Sequence, residues 1–495
     1  MLDQSAIEAL RDAPVSPGQH LIDGAQRPAS DDGVMEVISP LNGTVLTTIP
    51  RGTKADAEAA CAAARRSFDA GVWAGLAPGA RKAVMLKWAA LIEENALELA
   101  VLGVRDNGTE IGMALKAEPM SAAGTIRYYA EALDKIYGEI APTAPDVLAL
   151  VHKEPAGVVG AIVPWNFPLM IGAWKLGPAL AAGCSVVLKP AETASLSLLK
   201  MCALGVEAGL PAGVLNVVTG EGAVVGQAIA ESMDVDVLVF TGSGPVGRRL
   251  LQASAASNMK RVYLELGGKS PNVVFADAPD LAEAAKVSAA GIFRNSGQVC
   301  VAGSRLLVER GVHDEFVDLL AQATAKMKVG DPLDPATNAG AVNSERQLMQ
   351  NLRFVEEARE LGREIRLGGQ RILEETGGYF MAPTIVTGVE PGDRLAQQEV
   401  FGPVLAVIPF DTEAEALEIA NGTEFGLASA VWTGSLSRAH RMVRGLRAGV
   451  VHVNTYGGAD NTVPLGGVKQ SGNGHDKSLH AFEKYLDLKT AWIKL

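Results

Sequence analysis

Between Gly157 and Asp277 the chain alternates short apolar, β-branched runs with stretches of helical spacing, and this alternation leaves few ways to fold. VVGAIVP, CSVVLKP, VLNVVTG, VDVLVFTGS, RVYLELGG and NVVFAD read as strands. SLSLLKMCALGVEAG, AVVGQAIAES and PVGRRLLQASA carry apolar residues at helical spacing, and Gly209 with Pro211 closes the helix that ends at Ala208. Parallel strands joined by crossover helices satisfy both periods, so the stretch is predicted to form a doubly wound α/β sheet.

A second alternating region follows Cys300, with SRLLVER, HDEFVDLLAQATAKM, GPVLAVIPF, EAEALEIANG and GLASAVWTG as its clearest elements. An alanine-rich helical region, roughly Lys54 to Lys135, precedes the first sheet, and the tail KYLDLKTAWIKL alternates as a strand does. At 495 residues, 48% of them hydrophobic, the chain divides into two or more domains around large cores. Its 44 basic and 56 acidic residues leave a net charge of -12, which argues against a nucleic-acid or anionic-membrane partner and tolerates a cationic small molecule better. The first residues, MLDQSAIEALRDAPVSPGQH, lack the basic start and apolar run of a secretory signal. AGVVGAIVPWNFPLMIGAW is interrupted by two prolines and an asparagine, so it does not read as a membrane span. The expectation is a soluble, cytoplasmic protein.

Three sites carry candidate chemistry. In VDVLVFTGSGPVG, Gly242, Gly244 and Gly247 form G-x-G-x-x-G between a strand and a helix, where free amides and absent side chains suit a phosphate. An acid about twenty residues on would bind a ribose, and Glu265 is in range; Glu192 in VVLKPAET, with Lys189 beside it, is the better candidate, although KPAE alone also reads as a solvated charge pair. In IVPWNFPL, Pro164 and Pro168 stiffen the loop that displays Trp165 and Asn166, so the Asn166 amide suits either an oxyanion or its own turn. Among four cysteines without CxxC or metal-ligand spacing, Cys61, Cys184 and Cys202 lie in apolar or helical runs and read as packing residues. Cys300, between Gly297 and Gly303 in NSGQVCVAGS, reads equally as a packed or a reactive thiol.

PWNFP, FTGS, LELGGKSP, GQVC and EVFGPV, in this order and at these separations, make the chain resemble the aldehyde dehydrogenase superfamily over essentially its whole length. The resemblance implies a Rossmann-type NAD-binding domain from residues 1–133 and 154–264, an α/β catalytic domain from 265–468, and a small β oligomerisation arm from 134–153 and 469–495. The arm implies a homodimer or homotetramer. By the same resemblance Cys300 is the nucleophile, Glu265 the general base, and Asn166 the oxyanion donor together with the Cys300 amide. Lys189 and Glu192 hold the adenosine ribose, Ser243 the pyrophosphate, and Glu399 with Phe401 the nicotinamide riboside, with Trp165 and Gly222 also at the cofactor.

These residue types suit the chemistry. An aldehyde hydrogen leaves as hydride only after a nucleophile has made the carbon tetrahedral, and a thiolate both attacks readily and leaves again from a thioester. A carboxylate whose pKa burial raises toward neutrality can then deprotonate the hydrolytic water. Glu265 therefore favours a free acid product over an acyl-coenzyme A, the alternative for this fold; a non-catalytic structural protein could lose Cys300, Glu265 or Asn166 without penalty. Glu192 would repel a 2′-phosphate, which favours NAD while leaving NADP possible.

RYYAEALDKIYGEIAPT, SNMKRVYLELGGKS and SGNGHDKSLHAFEKYLDLKTAWI resemble the gamma-glutamyl-gamma-aminobutyraldehyde and related omega-aminoaldehyde dehydrogenases of polyamine breakdown. Two stretches depart from that pattern: RDNGTEIG stands in place of a D-T-G-K-P-like run, and KAEPM offers one acid, Glu118, where two can occur. Glu118 and Asp460 are the candidates for greeting a distal amine, and read equally as plain surface charges; Trp174 and Phe293 are the candidates for lining the tunnel, and Val299 and Val301 flank the thiol with small apolar walls.

Overall fold

The computed structural model describes residues 3–458 and 460–495. Its first sheet runs Arg261–Glu265, Val237–Thr241, Val158–Ile162, Ser185–Lys189, Leu215–Val217, His20–Ile22, Ala25–Arg27. The first five strands are parallel, and the hairpin His20–Arg27 adds to the edge in the antiparallel sense.

Strand periodicity explains why both faces are apolar. Val159, Ala161, Val237 and Val239 point to one side, where they pack with residues of helices Pro168–Ala182 and Leu196–Ala208. Val158, Leu238 and Phe240 point to the other and meet Ala57, Ala60 and Ala64 of helix Lys54–Asp69 and Leu250 of Gly244–Ala256. Neither face can be polar, so these strands carry continuous apolar runs.

The second sheet runs Glu364–Leu367, Thr384–Thr387, Val404–Phe410, Arg305–Glu309, Pro271–Val274, Ala428–Trp432, Val450–Val453. One expectation is corrected here: NVVFAD, read as the last strand of the first sheet, pairs with Arg305–Glu309 and Ala428–Trp432 in the second. Periodicity marks a strand but not its partner. The crossing takes five residues, 266–270, so Glu265 and its neighbours lie where one sheet hands the chain to the other.

A third sheet joins Glu139–Ala141, Val147–Pro155 and Leu486–Lys494. The last two pair antiparallel from Leu486 opposite Pro155 to Lys494 opposite Val147. Ile140, Leu488 and Trp492 stand exposed on it. Among the described residues no helix is long and apolar enough to cross a membrane.

Candidate active site

Cys300 sits on a loop fixed from both ends. Helix Leu281–Phe293 runs into Arg294–Gly297, where Asn295, Ser296 and Gly297 take φ of 50°, 51° and 72°. Left-handed backbone costs a non-glycine residue about 1–2 kcal/mol, so Asn295 and Ser296 need neighbours that hold them. Gly297 is also the residue that fits the space, because a Cβ there would lie 2.2 Å from the Gly402 carbonyl oxygen. Gln298 follows, buried, donating to the Asn295 carbonyl at 3.0 Å and accepting from the Asn343 amide at 2.8 Å. Beyond the cysteine, the Tyr456 hydroxyl donates to the Val301 carbonyl at 2.7 Å. Cys61, Cys184 and Cys202 are buried, whereas Cys300 is partly exposed.

Asn166 lies 3% exposed in the loop before helix Pro168–Ala182, which proline starts at a position where no amide hydrogen is missed. Its Nδ2 donates to the Gln298 carbonyl at 2.9 Å, and its own carbonyl accepts from Asn295 Nδ2 at 3.3 Å. PWNF and the nucleophile turn are thereby tied together. Trp165 meets Phe401 edge to face at 5.1 Å, and Phe401 takes φ 58°, so EVFGPV closes over the same loop.

Glu265 ends the edge strand of the first sheet, 5% exposed, with neither carboxylate oxygen bonded to protein. Burial holds its pKa well above the usual carboxylate range; Asp476 adds to the rise, while Lys175 and Lys484 oppose it. Asp476 lies between those two lysines, and all three are buried. Glu399 Oε1 accepts from the Gly268 amide at 3.0 Å, and withdrawal from water pushes its carboxyl up to about 7. The Cys300 thiol is pushed up to about 12, first by loss of water and then by the charges of Glu399 and Glu265. An acid with a free edge, an amide donor and a thiol therefore converge where the two sheets meet.

A second group of candidates lies at the carboxyl ends of the first sheet's strands. Lys189 Nζ donates to Glu192 Oε1 at 3.1 Å, and the Gly222 amide donates to that oxygen at 2.6 Å. Ser243 caps helix Gly244–Ala256 without a side-chain hydrogen bond, leaving the first amides free, and a Cβ at Gly244 would meet only Arg248 Nη1, at 3.5 Å. Open space over free amides, with a carboxylate and a buried ammonium alongside, fits a dinucleotide with its pyrophosphate at the helix start. Among the described residues no cluster of His, Cys, Asp and Glu could hold a metal.

The expected substrate residues fare differently. Glu118, read as a tunnel acid, is buried and accepts from the Leu169 and Met170 amides at 2.8 and 2.9 Å. It caps helix Pro168–Ala182, whose first amides have no partner within the helix, and that reading is corrected. Phe293 is also corrected, since it is fully buried among Ala289, Ile292, Leu306 and Phe316 beside the second sheet. Asp460 is exposed and accepts from the Thr462 amide at 2.8 Å, a turn of its own loop. Trp174 is buried with an unpartnered indole N–H, and Lys477 Nζ stands 5.7 Å from its ring centre, a cation where an acid was expected nearby.

Sequence reading missed Asn295, Gln298, Tyr456 and the Lys175–Asp476–Lys484 cluster. Only the last had a signal: WKLG places a lysine inside an otherwise apolar helix.

Residues 27–491 match the family model described as the aldehyde dehydrogenase family. NADP/NAD-dependent aldehyde dehydrogenase PuuC of Escherichia coli (strain K12) is 49% identical over 96% of this chain and 95% of its own. Indole-3-acetaldehyde dehydrogenase AldA of P. syringae, solved as a variant with NAD+ and IAA, superposes with a TM-score of 0.98 at 50% identity, covering 100% of both chains. Gamma-glutamyl-gamma-aminobutyraldehyde dehydrogenase from Burkholderia cenocepacia J2315 gives 0.97 at 49%, again over 100% of both.

Proposed function

This chain belongs to the aldehyde dehydrogenase family, and from that premise we propose that it oxidises an aliphatic or omega-amino aldehyde to the free acid with NAD(P). One observation carries the assignment of roles: the one partly exposed thiol among the four cysteines, Cys300, lies on the loop that Asn166 binds and within the field of Glu265.

The Cys300 thiol gives its proton to water and Sγ, as thiolate, attacks the aldehyde carbon; the Asn166 amide hydrogen not given to Gln298 stabilises the oxyanion with the Cys300 amide. NAD, when bound, supplies the acceptor for the hydride that leaves this carbon. Collapse of the tetrahedral carbon leaves a thioester on Cys300, and Glu265, with both oxygens free of protein donors, takes a proton from the water that hydrolyses it. Lys189, Glu192, Gly222 and Ser243 hold the adenosine and pyrophosphate, while Trp165, Glu399 and Phe401 hold the nicotinamide side. Glu192 favours NAD over NADP by repelling a 2′-phosphate.

The Lys477 ammonium over Trp174 and the engagement of Glu118 elsewhere favour a distal amine that is acylated over one that is free. Residues 1–133 with 154–264 bind cofactor, 265–468 carry the chemistry, and 134–153 with 469–495 join copies into a cytoplasmic homodimer or homotetramer. Exposed Ile140, Leu488 and Trp492 support the joining role.

The test is NADH formation over a panel of propanal, a free aminoaldehyde, its gamma-glutamyl amide and an aryl acetaldehyde, with and without coenzyme A. NADH without coenzyme A, fastest with the amide, is the expected result. Turnover only with coenzyme A would replace hydrolysis by acyl transfer.

A further inference from the structure

Glu110, in RDNGTEIG, takes φ -62° and ψ 135°, an extended conformation open to any residue. The backbone therefore does not call for glutamate, and its side chain is what sets this position apart. Glu110 is 3% exposed, and its Oε1 accepts from the Asn295 amide at 3.2 Å. That amide opens the run of three left-handed residues before Cys300. Beside it the Thr109 hydroxyl donates to Asn295 Oδ1 at 2.8 Å, so residues 109 and 110 grip both the main chain and the side chain of Asn295. Asn295 Nδ2 in turn donates to the Asn166 and Gln298 carbonyls at 3.3 and 3.4 Å. These links join Glu110 to both loops, the one that carries the oxyanion donor Asn166 and the one that carries the thiol.

We propose that Glu110 is a positioning residue whose carboxylate holds the left-handed turn Asn295–Gly297 and, through Asn295, sets Asn166 and Cys300 in register with each other. The inference rests on Cys300 being the nucleophile of the proposed reaction.

The carboxylate is only half used. Oε2 has no partner, and Glu110 lines a cavity of about 1070 Å³ beside the turn. Charged Lys116, Asp280, Glu283, Lys286, Arg294 and Lys326 line it too; Lys286 pairs with Glu283 at 3.2 Å, and Arg294 is the cation whose charge favours ionised Glu110. Burial outweighs that attraction and pushes the carboxyl up to about 7. The ionised form is the stronger acceptor for the Asn295 amide, so the turn tightens as pH rises through neutrality.

The test reads the thiol directly: the rate of Cys300 alkylation by iodoacetamide between pH 6 and 9, followed on the Cys300 peptide by mass spectrometry, beside kcat and the KM for NAD. Wild type should show a break near pH 7 in the rise of log rate with pH. Glu399 is also pushed up to about 7 and its charge acts on the thiol, so Glu110→Gln should shrink the break to the part that Glu399 contributes, and lower kcat about tenfold with the KM for NAD unchanged. Thr109→Val, which loosens the same residue without removing the charge, should lower kcat yet keep the break. Should Glu110→Gln not fold, Glu110→Pro keeps the backbone angle and removes the acceptor, and it should behave as Glu110→Gln is expected to. A break of undiminished size in the Glu110 variant, or an unaltered kcat, overturns the proposal. If no aldehyde yields NADH, the proposed reaction fails while the alkylation profile still judges Glu110.

Discussion

Asn166 donates one amide hydrogen to the Gln298 carbonyl at 2.9 Å, which leaves the other free beside the loop that carries Cys300. Asn166→Ala should therefore cost both a donor for the oxyanion and a brace for the loop. The expected loss in kcat is on the order of a hundredfold to a thousandfold, since one oxyanion donor alone typically costs that much. Steady-state kinetics on a single aldehyde check it, and a loss in KM alone would place Asn166 in substrate binding instead.

Glu265 faces two cations and one anion. Removing one cation with Lys484→Met leaves Asp476 and Lys175, so the base becomes harder to ionise. The rising limb of kcat with pH, where hydrolysis limits turnover, should move to higher pH in that variant and return with Lys484→Arg. Asp476→Asn is the harsher change. It strands two buried lysines and should destabilise the fold by about 3–5 kcal/mol, read by chemical denaturation.

Glu118 separates a tunnel from a helix cap. Because folding raises its pKa above 4.5, the folded chain keeps a proton that the unfolded chain releases, so this group's contribution to stability falls as pH rises above about 4.5. Glu118→Gln removes that fall, and its melting temperature relative to wild type should rise from pH 5 to pH 8. Its ratio of kcat/KM for an aminoaldehyde over propanal should stay within about twofold of wild type. A selective loss on the aminoaldehyde would return Glu118 to the substrate.

The fold was legible because its signals are local: a strand buried on two faces must be continuously apolar, as VLVF is, and a helix must end where Gly209 adopts φ 113°. The partner of a strand is not local, which is why NVVFAD pairs in the second sheet although its period and its place in the chain suggest the first. Site residues divide along the same line. Cys300, Glu265 and Asn166 stand out as reactive types in glycine- or proline-bounded stretches, whereas Asn295 and Tyr456 act by bonding main chain far away in sequence. Glu118 misled because an acid in a polar stretch reads as exposed, and only its fold-dependent approach to the Leu169 and Met170 amides gives it another task.

Gly297 offers a test of the loop itself. A methyl group there meets the Gly402 carbonyl oxygen at 2.2 Å and must also adopt φ 72°. Gly297→Ala should destabilise by roughly 2 kcal/mol or more and lower turnover beyond what stability explains. Thermal melts beside kcat at a permissive temperature distinguish the two effects.

The division of labour between Cys300 and Glu265 is decided by Glu265→Gln mixed rapidly with aldehyde and NAD, then quenched for mass spectrometry. The account predicts a burst of NADH approaching one equivalent per site, an acyl group on the Cys300 peptide and almost no further turnover. Steady turnover at the wild-type rate with no acyl adduct on Cys300 would contradict it.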